Sequence, residues 1–309
     1  MAPWAQPSGC SGCNAAQAAQ ANQNYQYQQH QAYQDYIQQQ VLQQQQNQAL
    51  NPQQPSAMPG WLVTEPDANL WLIDTPLRYN VSRGKAMKLK LFLKNQQGPQ
   101  GASENGQAKI FSLGSHWHSP WRSYVEPVSG ESTNFWVYPG NGTAVKFTLD
   151  AIDYQTRRKL TQVSSTNVLQ LPDGGQNIYG YTSTVGAVTR YFLTSQVDPQ
   201  GNAVQFQYTV TNDTIVLSSV TDVDSRSTTF QYASAGIYSN VMTQVNGPYG
   251  LTNLLQYDSS GRLTNITDLI GIASAMQYDS STNLTALITP YGTNKFTYFS
   301  TYYFKLLNV

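Results

Sequence analysis

The residues whose types could carry chemistry are few in this chain, and each set lacks a partner. Cys10-Ser-Gly-Cys13 has the spacing of half a zinc site or of a redox dithiol. Zinc takes four ligands, and beyond this pair the chain offers no cysteine and only His30, His116 and His118. No βαβ pattern surrounds the pair, as a thioredoxin-like motif requires, so it reads as exposed thiols in a tail whose redox state is open. His116-Trp117-His118 would set two imidazoles on one side of a strand, because side chains there alternate. No third ligand is identifiable in a segment crowded by Trp117, Pro120 and Trp121, which favours packing or a turn. Serine is plentiful, but no Gly-x-Ser-x-Gly elbow occurs, and three histidines leave a Ser-His-Asp triad little to draw on. The expectation is therefore no catalytic residue, no metal and no cofactor: a protein that is not an enzyme.

Charge narrows the partners. The 309 residues carry 17 Lys+Arg against 17 Asp+Glu, and only 11% are charged, where soluble domains carry about 25%. Nucleic-acid binding and membrane-surface helices both rest on excess basic charge, so neither is expected. No run approaches the roughly 18 apolar residues of a membrane span. The N-terminus has neither a basic nor an apolar signal region, which predicts a cytoplasmic chain or a non-classical export route. Sequons at Asn80, Asn141, Asn212, Asn265 and Asn283 follow from a composition rich in Asn, Ser and Thr.

The elements that would position functional groups begin at residue 61. Residues 1–60 contain Asp35 as their one charged side chain, and almost half the positions from Gln17 to Gln54 are Gln, interleaved with Tyr25, Tyr27, Tyr33 and Tyr36. Such a head lacks the apolar area to offset ordering entropy and reads as disordered. Tyr33, Ile37 and Val41 at i, i+4, i+8 leave a short helix open.

Residues 61–170 read as β-rich: five of the six Trp lie between Trp61 and Trp136. Met87, Leu89, Leu91 and Leu93 alternate with Lys88, Lys90, Phe92 and Lys94. Gly98-Pro99, Gly101, Gly106 and Pro139-Gly-Asn-Gly142 punctuate at hairpin spacing.

Residues 171–299 are self-similar, which decides the fold class. An apolar-x-Tyr triplet recurs at Phe206-Gln-Tyr208, Phe230-Gln-Tyr232, Leu255-Gln-Tyr257, Met276-Gln-Tyr278 and Phe296-Thr-Tyr298, with tyrosine spacings of 24, 25, 21 and 20. A second element alternates with it: Leu193 to Asp198, Leu217 to Asp222, Leu263 to Asp268 and, more weakly, Leu284 to Thr289. Gly201, Gly271 and Gly292 follow these, Ser225 stands in once, and Gly250 serves the Met242 copy. Each unit is two short strands and two turns, with both large residues of the triplet on one face. Asp-x-x-Gly fits a turn in which Asp caps its own backbone and Gly takes a positive φ. Asp222-Val-Asp224 has the look of a calcium pair, but alignment with the other units makes it the same turn.

Tyr257-Asp258-Ser-Ser-Gly261-Arg262-Leu263, with Tyr278-Asp279 to Leu284 one unit on, resembles the YD-repeat signature of Rhs-type proteins. Asp198-Pro199-Gln-Gly201-Asn202 is similar to that family's inter-repeat turn, and Glu65 to Tyr79 and Phe111 to Tyr124 are similar to the region that precedes the repeats in bacterial Rhs proteins. The resemblance covers residues 61–299. It implies a long β-sheet spiralling into a shell around a C-terminal polypeptide, commonly a toxin freed by self-cleavage. The family's cleavage motif continues Asp-Pro-x-Gly with Leu and further Gly at the close of the core. Here Asn202 follows Gly201 early in the array, so a turn is expected. About five repeats are recognisable and only Phe299 to Val309 follow them, which reads as a truncated shell.

The sequence thus predicts an all-β chain: a curved, open sheet of YD-repeat hairpins over 171–299, a β-rich lead at 61–170, a Gln-rich head and a tail at 300–309. Its expected partners are a polypeptide cargo or further YD repeats. The alternative is carbohydrate or cell-surface binding through exposed Tyr and Trp. An open edge at Phe296 to Tyr303 predicts self-association.

Overall fold

Alternation of large apolar with small polar residues forms strands throughout the described chain. A computed structural model describes residues 59–64, 69–95, 110–185, 188–211, 213–234, 240–298 and 304–308. The Cys10–Cys13 pair, the 33/37/41 helical pattern and the Asn212 sequon lie outside those residues. Contacts divide the chain into Met1–Pro55 and Ser56–Val309, and all described residues belong to the second unit. Among them there is no α-helix, and thus no helix long and apolar enough to cross a membrane.

Two sheets are built. The smaller is antiparallel in the order β1 (Gly60–Thr64), β2 (Asn69–Tyr79), β3 (Met87–Lys94) and β4 (Trp117–His118). The predicted alternation of β3 holds, with Met87, Leu89, Leu91 and Leu93 all buried. One extra residue bulges β2 between Asp74 and Leu77. Pro76, which has no N–H to give a ladder, sits in that bulge.

The larger sheet starts with β5 (Tyr124–Pro127), β6 (Asn134–Tyr138) and β7 (Val145–Thr148), joined in sequence. A second run opens with β8 (Ile152–Asp153), β9 (Arg158–Val163), β10 (Thr166–Gln170), β11 (Gln176–Val185) and β12 (Val188–Val197). It continues through β13 (Ala203–Thr211), β14 (Thr214–Thr221), β15 (Ser227–Tyr232), β16 (Met242–Asn246) and β17 (Thr252–Tyr257). It ends with β18 (Leu263–Thr267), β19 (Ala273–Tyr278), β20 (Leu284–Thr289), β21 (Gly292–Tyr298) and β22 (Phe304–Asn308). From β8 onward each strand pairs antiparallel with the next.

The runs meet at β12, where Tyr191 and Phe192 pair with β5 while Ser195 to Val197 pair with β13. Arg190 seals this branch. Its Nε donates to Glu126 Oε2 at 2.9 Å, and Tyr138 OH donates to Glu126 Oε1 at 2.8 Å, with both charged side chains buried. Among the described residues no register joins β22 to β5, so the sheet stays open at its last strand.

The buried face of the repeat array and the smaller sheet share one core. Leu70, Leu72, Leu89, Leu91 and Leu93 pack in the same cluster as Leu217, Val220, Leu255, Ile266, Met276 and Leu287. The lead therefore covers the face that the repeats present.

Candidate functional site

The repeat unit is assembled from two devices. The first is the turn. Asp198, Asp222, Asp258, Asp268 and Asp279 each accept at Oδ1 from the backbone N–H two and four residues on, at 2.8–3.0 Å. The residue three after each Asp is left-handed: Gly201, Ser225, Gly261, Gly271 and Thr282 lie between φ 64 and 84. Asp198-Pro199-Gln200-Gly201 is thus a turn of this kind, as is Asp222 to Ser225. Four of the five aspartates also receive a side-chain donor at Oδ2 from the residue four on, Asn202, Arg226, Arg262 or Asn283, at 2.7–2.9 Å. In the fifth, that residue is Ile272.

Arg262 also donates to Asp279 O at 2.7 Å and lies 5.3 Å from the Tyr278 ring centroid, so the signature arginine ties one repeat to the next. Burial opposes ionisation of Asp258, but its hydrogen bonds, from Arg262 and Ser260, outweigh burial and hold the carboxyl below the usual carboxylate range. Gly292 differs from the expectation. The hairpin there is only two residues long, and Gly292 at φ 149 is the first strand residue, opposite Thr289.

The second device is a bulge at four of the five repeat tyrosines, Tyr298 pairing in regular register with Phe304. Tyr208, Tyr232, Tyr257 and Tyr278 pair with Leu217, Met242, Leu263 and Leu284, and one extra residue follows each partner: Ser218, Thr243, Thr264 and Thr285. Tyr179 and Leu193 show the same irregularity with Thr194. A bulge breaks the ladder and bends the strand. Hydroxyls of Thr194, Ser218 and Thr264 mend part of it by donating to Ile178, Gln207 and Gln256 carbonyls at 3.0–3.1 Å.

The phenols mend the rest. Tyr208, Tyr232, Tyr257 and Tyr278 donate to the carbonyls of Leu193, Leu217, Met242 and Leu263 at 2.7–2.8 Å, and Tyr298 donates to Leu284 at 2.5 Å. Each tyrosine thus reaches back to the bulge of the preceding unit. Burial pushes all five phenols above the usual tyrosine range. Tyrosine is needed because phenylalanine would fill the space and leave the carbonyl bare. The hydroxyls of these five tyrosines are engaged within the sheet. Among the described residues the exposed tyrosines are Tyr154, Tyr249 and Tyr291, in turns.

The lead grips the array along both rows of turns. On one rim β2 and its loop touch two turns, residues 79–82 at the turn between β14 and β15 and Lys85 at the turn between β10 and β11. Lys85 pairs with Asp173 at 3.1 Å, Ser82 N donates to Asp224 Oδ2 at 2.8 Å, and Tyr79 OH meets Thr228 Oγ1 at 3.4 Å. Arg226 stacks over Tyr79 and donates to Asn80 O at 3.1 Å. Asp224 therefore clamps the loop after β2 to the turn.

On the other rim the backbone of 110–117 makes the contacts. Phe111 N donates to Ile215 O at 2.8 Å, Ser112 exchanges bonds with Asn240 O and Met242 N at 3.0 and 2.9 Å, and Ser115 N donates to Gly261 O at 3.2 Å. Trp117 Nε1 donates to Tyr278 OH at 3.0 Å. Asn95 completes the series, accepting from Leu284 N at 2.9 Å and donating to Asn283 Oδ1 at 3.1 Å. Gly114 is required here, since a Cβ would stand 3.0 Å from Gly261 O and from Tyr257 Cε1, at φ 92.

Two further expectations change. His116 and His118 do not share a strand: only Trp117–His118 is one, and His116 stands at φ 66 in the turn before it, its carbonyl accepting from Lys94 N at 3.0 Å. Burial, with His118 close by, holds the His116 imidazole below its usual range. Among the described residues, no group of three or more His, Cys, Asp and Glu could hold a metal ion. The edge expected at Phe296 to Tyr303 is also displaced. The tail returns as β22 and pairs along β21, and Phe296 is buried edge-on against Trp61. Residues 299–303 lie outside the described chain.

Comparison with known proteins follows this geometry. The RHS repeat family matches residues 257–293, the unit built from Tyr257, Asp258, Gly261, Arg262, Leu263, Asp268, Gly271, Tyr278, Asp279 and Leu284. No curated protein sequence matches the chain. Among solved structures, the TcdB2–TccC3 complex is 14% identical with a TM-score of 0.47, covering 79% of this chain and 17% of that one. The Tc holotoxin pore of Photorhabdus luminescens is 13% identical with a TM-score of 0.42, over 81% of this chain and 16% of that one. The N-terminal domain of the effector SpvB from Salmonella typhimurium strain LT2 is 15% identical with a TM-score of 0.36, over 70% of this chain and 97% of that one. This chain thus spans less than a fifth of the first two chains. Residues 257–293 are thus an RHS repeat by the family match, and the bulge found there recurs in the hairpins β13–β14, β15–β16, β17–β18 and β19–β20.

Proposed function

We propose that this RHS-repeat chain is a wall: a segment of sheet that encloses or presents a polypeptide and performs no reaction of its own. One observation carries the reading. The repeat array already holds an extended, irregular polypeptide along its rim, residues 110–117, through a hydrogen bond to nearly every unit it crosses. A surface that offers backbone groups at regular intervals suits a passenger chain of any sequence, because main-chain bonds do not read side chains. The signature aspartates and tyrosines of the repeat are meanwhile committed to turns and bulges, which favours a scaffold over a catalyst.

The test is protease protection. The full chain is co-expressed with the polypeptide encoded immediately downstream, and the complex is digested beside the downstream polypeptide alone. Enclosure predicts slower cleavage of the downstream polypeptide in the complex. Equal rates, or no co-purification, overturn the proposal.

A further inference from the structure

Five of the ten large apolar side chains left exposed among the described residues stand together on three hairpins between β16 and β21. Tyr249, Leu254, Leu269, Ile270 and Tyr291 are between 42% and 77% exposed. Leu254 lies on β17, and the other four form the tips of the β16–β17, β18–β19 and β20–β21 turns. These tips follow one another along one rim, because antiparallel strands bring every second turn back to the same end of a sheet. It is the rim that the loop after β2 holds at charged turns, at Asp173 and at Asp224. Beyond Arg226 the same rim becomes apolar.

The fold does not require these side chains. In the other aspartate turns the two residues after Asp are Pro199-Gln200, Val223-Asp224, Ser259-Ser260 and Ser280-Ser281, held by the same pair of bonds to Oδ1. Leu269-Ile270 adds exposed apolar surface to that common turn. Tyr249 stands left-handed at φ 64, a conformation that favours glycine and costs a bulky residue. Arg226 braces it, donating from Nη1 to its hydroxyl and lying 5.5 Å from its ring centroid.

We propose that this apolar rim docks a second copy of the chain, the two related by a two-fold axis at the Leu269-Ile270 tip. The row reads aromatic, aliphatic, aromatic, with tips two strand spacings, roughly 10 Å, apart. Reversed by a two-fold axis it matches itself: Leu269-Ile270 meets the same pair, and Tyr249 meets Tyr291 of the other copy, as an isologous interface requires. The two tyrosines offer about 300 Å² and the whole row about 500 Å² per copy, so pairing covers roughly 1,000 Å², the least that a specific interface needs. The charge in these turns is Asp268, tied at Oδ1 to the N–H groups of Ile270 and Ile272 at 3.0 and 2.8 Å, which leaves the tip itself apolar. Docking of this kind needs no passenger, so it stands or falls apart from the enclosing role.

The experiment is sedimentation equilibrium of the full chain over roughly 1–100 μM, a range suited to an interface of this size. The wild type is expected to dimerise. Leu269→Ser with Ile270→Ser copies the turn at Ser259-Ser260, so it folds, and with both copies altered at the axis it should weaken the dimer roughly a hundredfold. Val210→Ser, at an exposed position by the opposite row of turns, should leave the dimer unchanged. In a chain carrying Cys10→Ser and Cys13→Ser, Ile270→Cys should cross-link to itself on oxidation, and Tyr249→Cys should cross-link to Tyr291→Cys in a mixture in preference to itself. A wild-type monomer throughout the range, a dimer that Leu269→Ser with Ile270→Ser leaves intact, or Tyr249→Cys pairing with itself in preference to Tyr291→Cys overturns the proposal.

Discussion

Replacing Tyr257 by Phe isolates the tyrosine ladder from its packing. The ring stays, and what is lost is the bond from the phenol to Met242 O at 2.7 Å. That carbonyl stands at a bulge, where Thr243 is the extra residue, so its ladder partner is already displaced. A buried acceptor stripped of its donor costs about 1–3 kcal/mol. For a domain of this size each kcal/mol moves the midpoint by about 2–4 °C, which gives a drop of roughly 2–12 °C. Tyr291→Phe is the control: that side chain is 77% exposed, and surface changes stay within about 0.5 kcal/mol. Thermal and urea unfolding of both variants, followed by near-ultraviolet circular dichroism, reads the difference. Tyr278→Phe should cost more than Tyr257→Phe, because its oxygen also accepts from Trp117. Tyr257→Phe melting with Tyr291→Phe and the wild type would refute the ladder as a source of stability. The raised phenol pKa values also carry a sign: the ladder's contribution is complete below the ordinary tyrosine range near pH 10 and is lost above it.

Two further expectations test the branch and the rim. Arg190→Met leaves Glu126 charged and buried and should destabilise by about 3–5 kcal/mol, while Arg190→Met with Glu126→Leu should recover much of that loss in chemical denaturation. Gly271→Ala meets nothing within 4 Å and should cost only the left-handed backbone, about 1–2 kcal/mol. Gly114→Ala adds a clash with the Gly261 carbonyl, and limited proteolysis should show cleavage near 110–117 in that variant alone.

Much of this architecture is legible in the sequence because the repeat enforces it locally. The spacing from Asp258 to Gly261 specifies a turn by itself, since one carboxylate satisfies two N–H groups and the glycine accepts φ 70. The pairing of Phe206 with Tyr208 on one face follows from alternation alone. Alternation does not reveal the bulge, although its signal is present: a hydroxyl residue follows the first Leu or Met of every second strand, at Thr194, Ser218, Thr243, Thr264 and Thr285. What sequence periodicity cannot carry is contact between distant segments. Asn95 meets Leu284, and Ser82 meets Asp224, across well over a hundred residues, and neither pair has a local pattern to announce it. His116 misleads for a related reason. Strand alternation does not pass through a segment that Gly114 turns sharply at φ 92.

The anchors of residues 95 and 110–117 count the repeats. In most repeat proteins a unit can be gained or lost because each touches only its neighbours. Here an extra hairpin inserted between β14 and β20 would lengthen the rim by two strand spacings, roughly 10 Å. The anchored segment 111–117, with no more than two residues between successive contacts, has no slack to follow. Duplication within that span would unseat the lead, whereas units added beyond the Asn95 contact at Leu284 would leave it untouched. An array of this kind is fixed in number at its beginning and free to grow only toward its end.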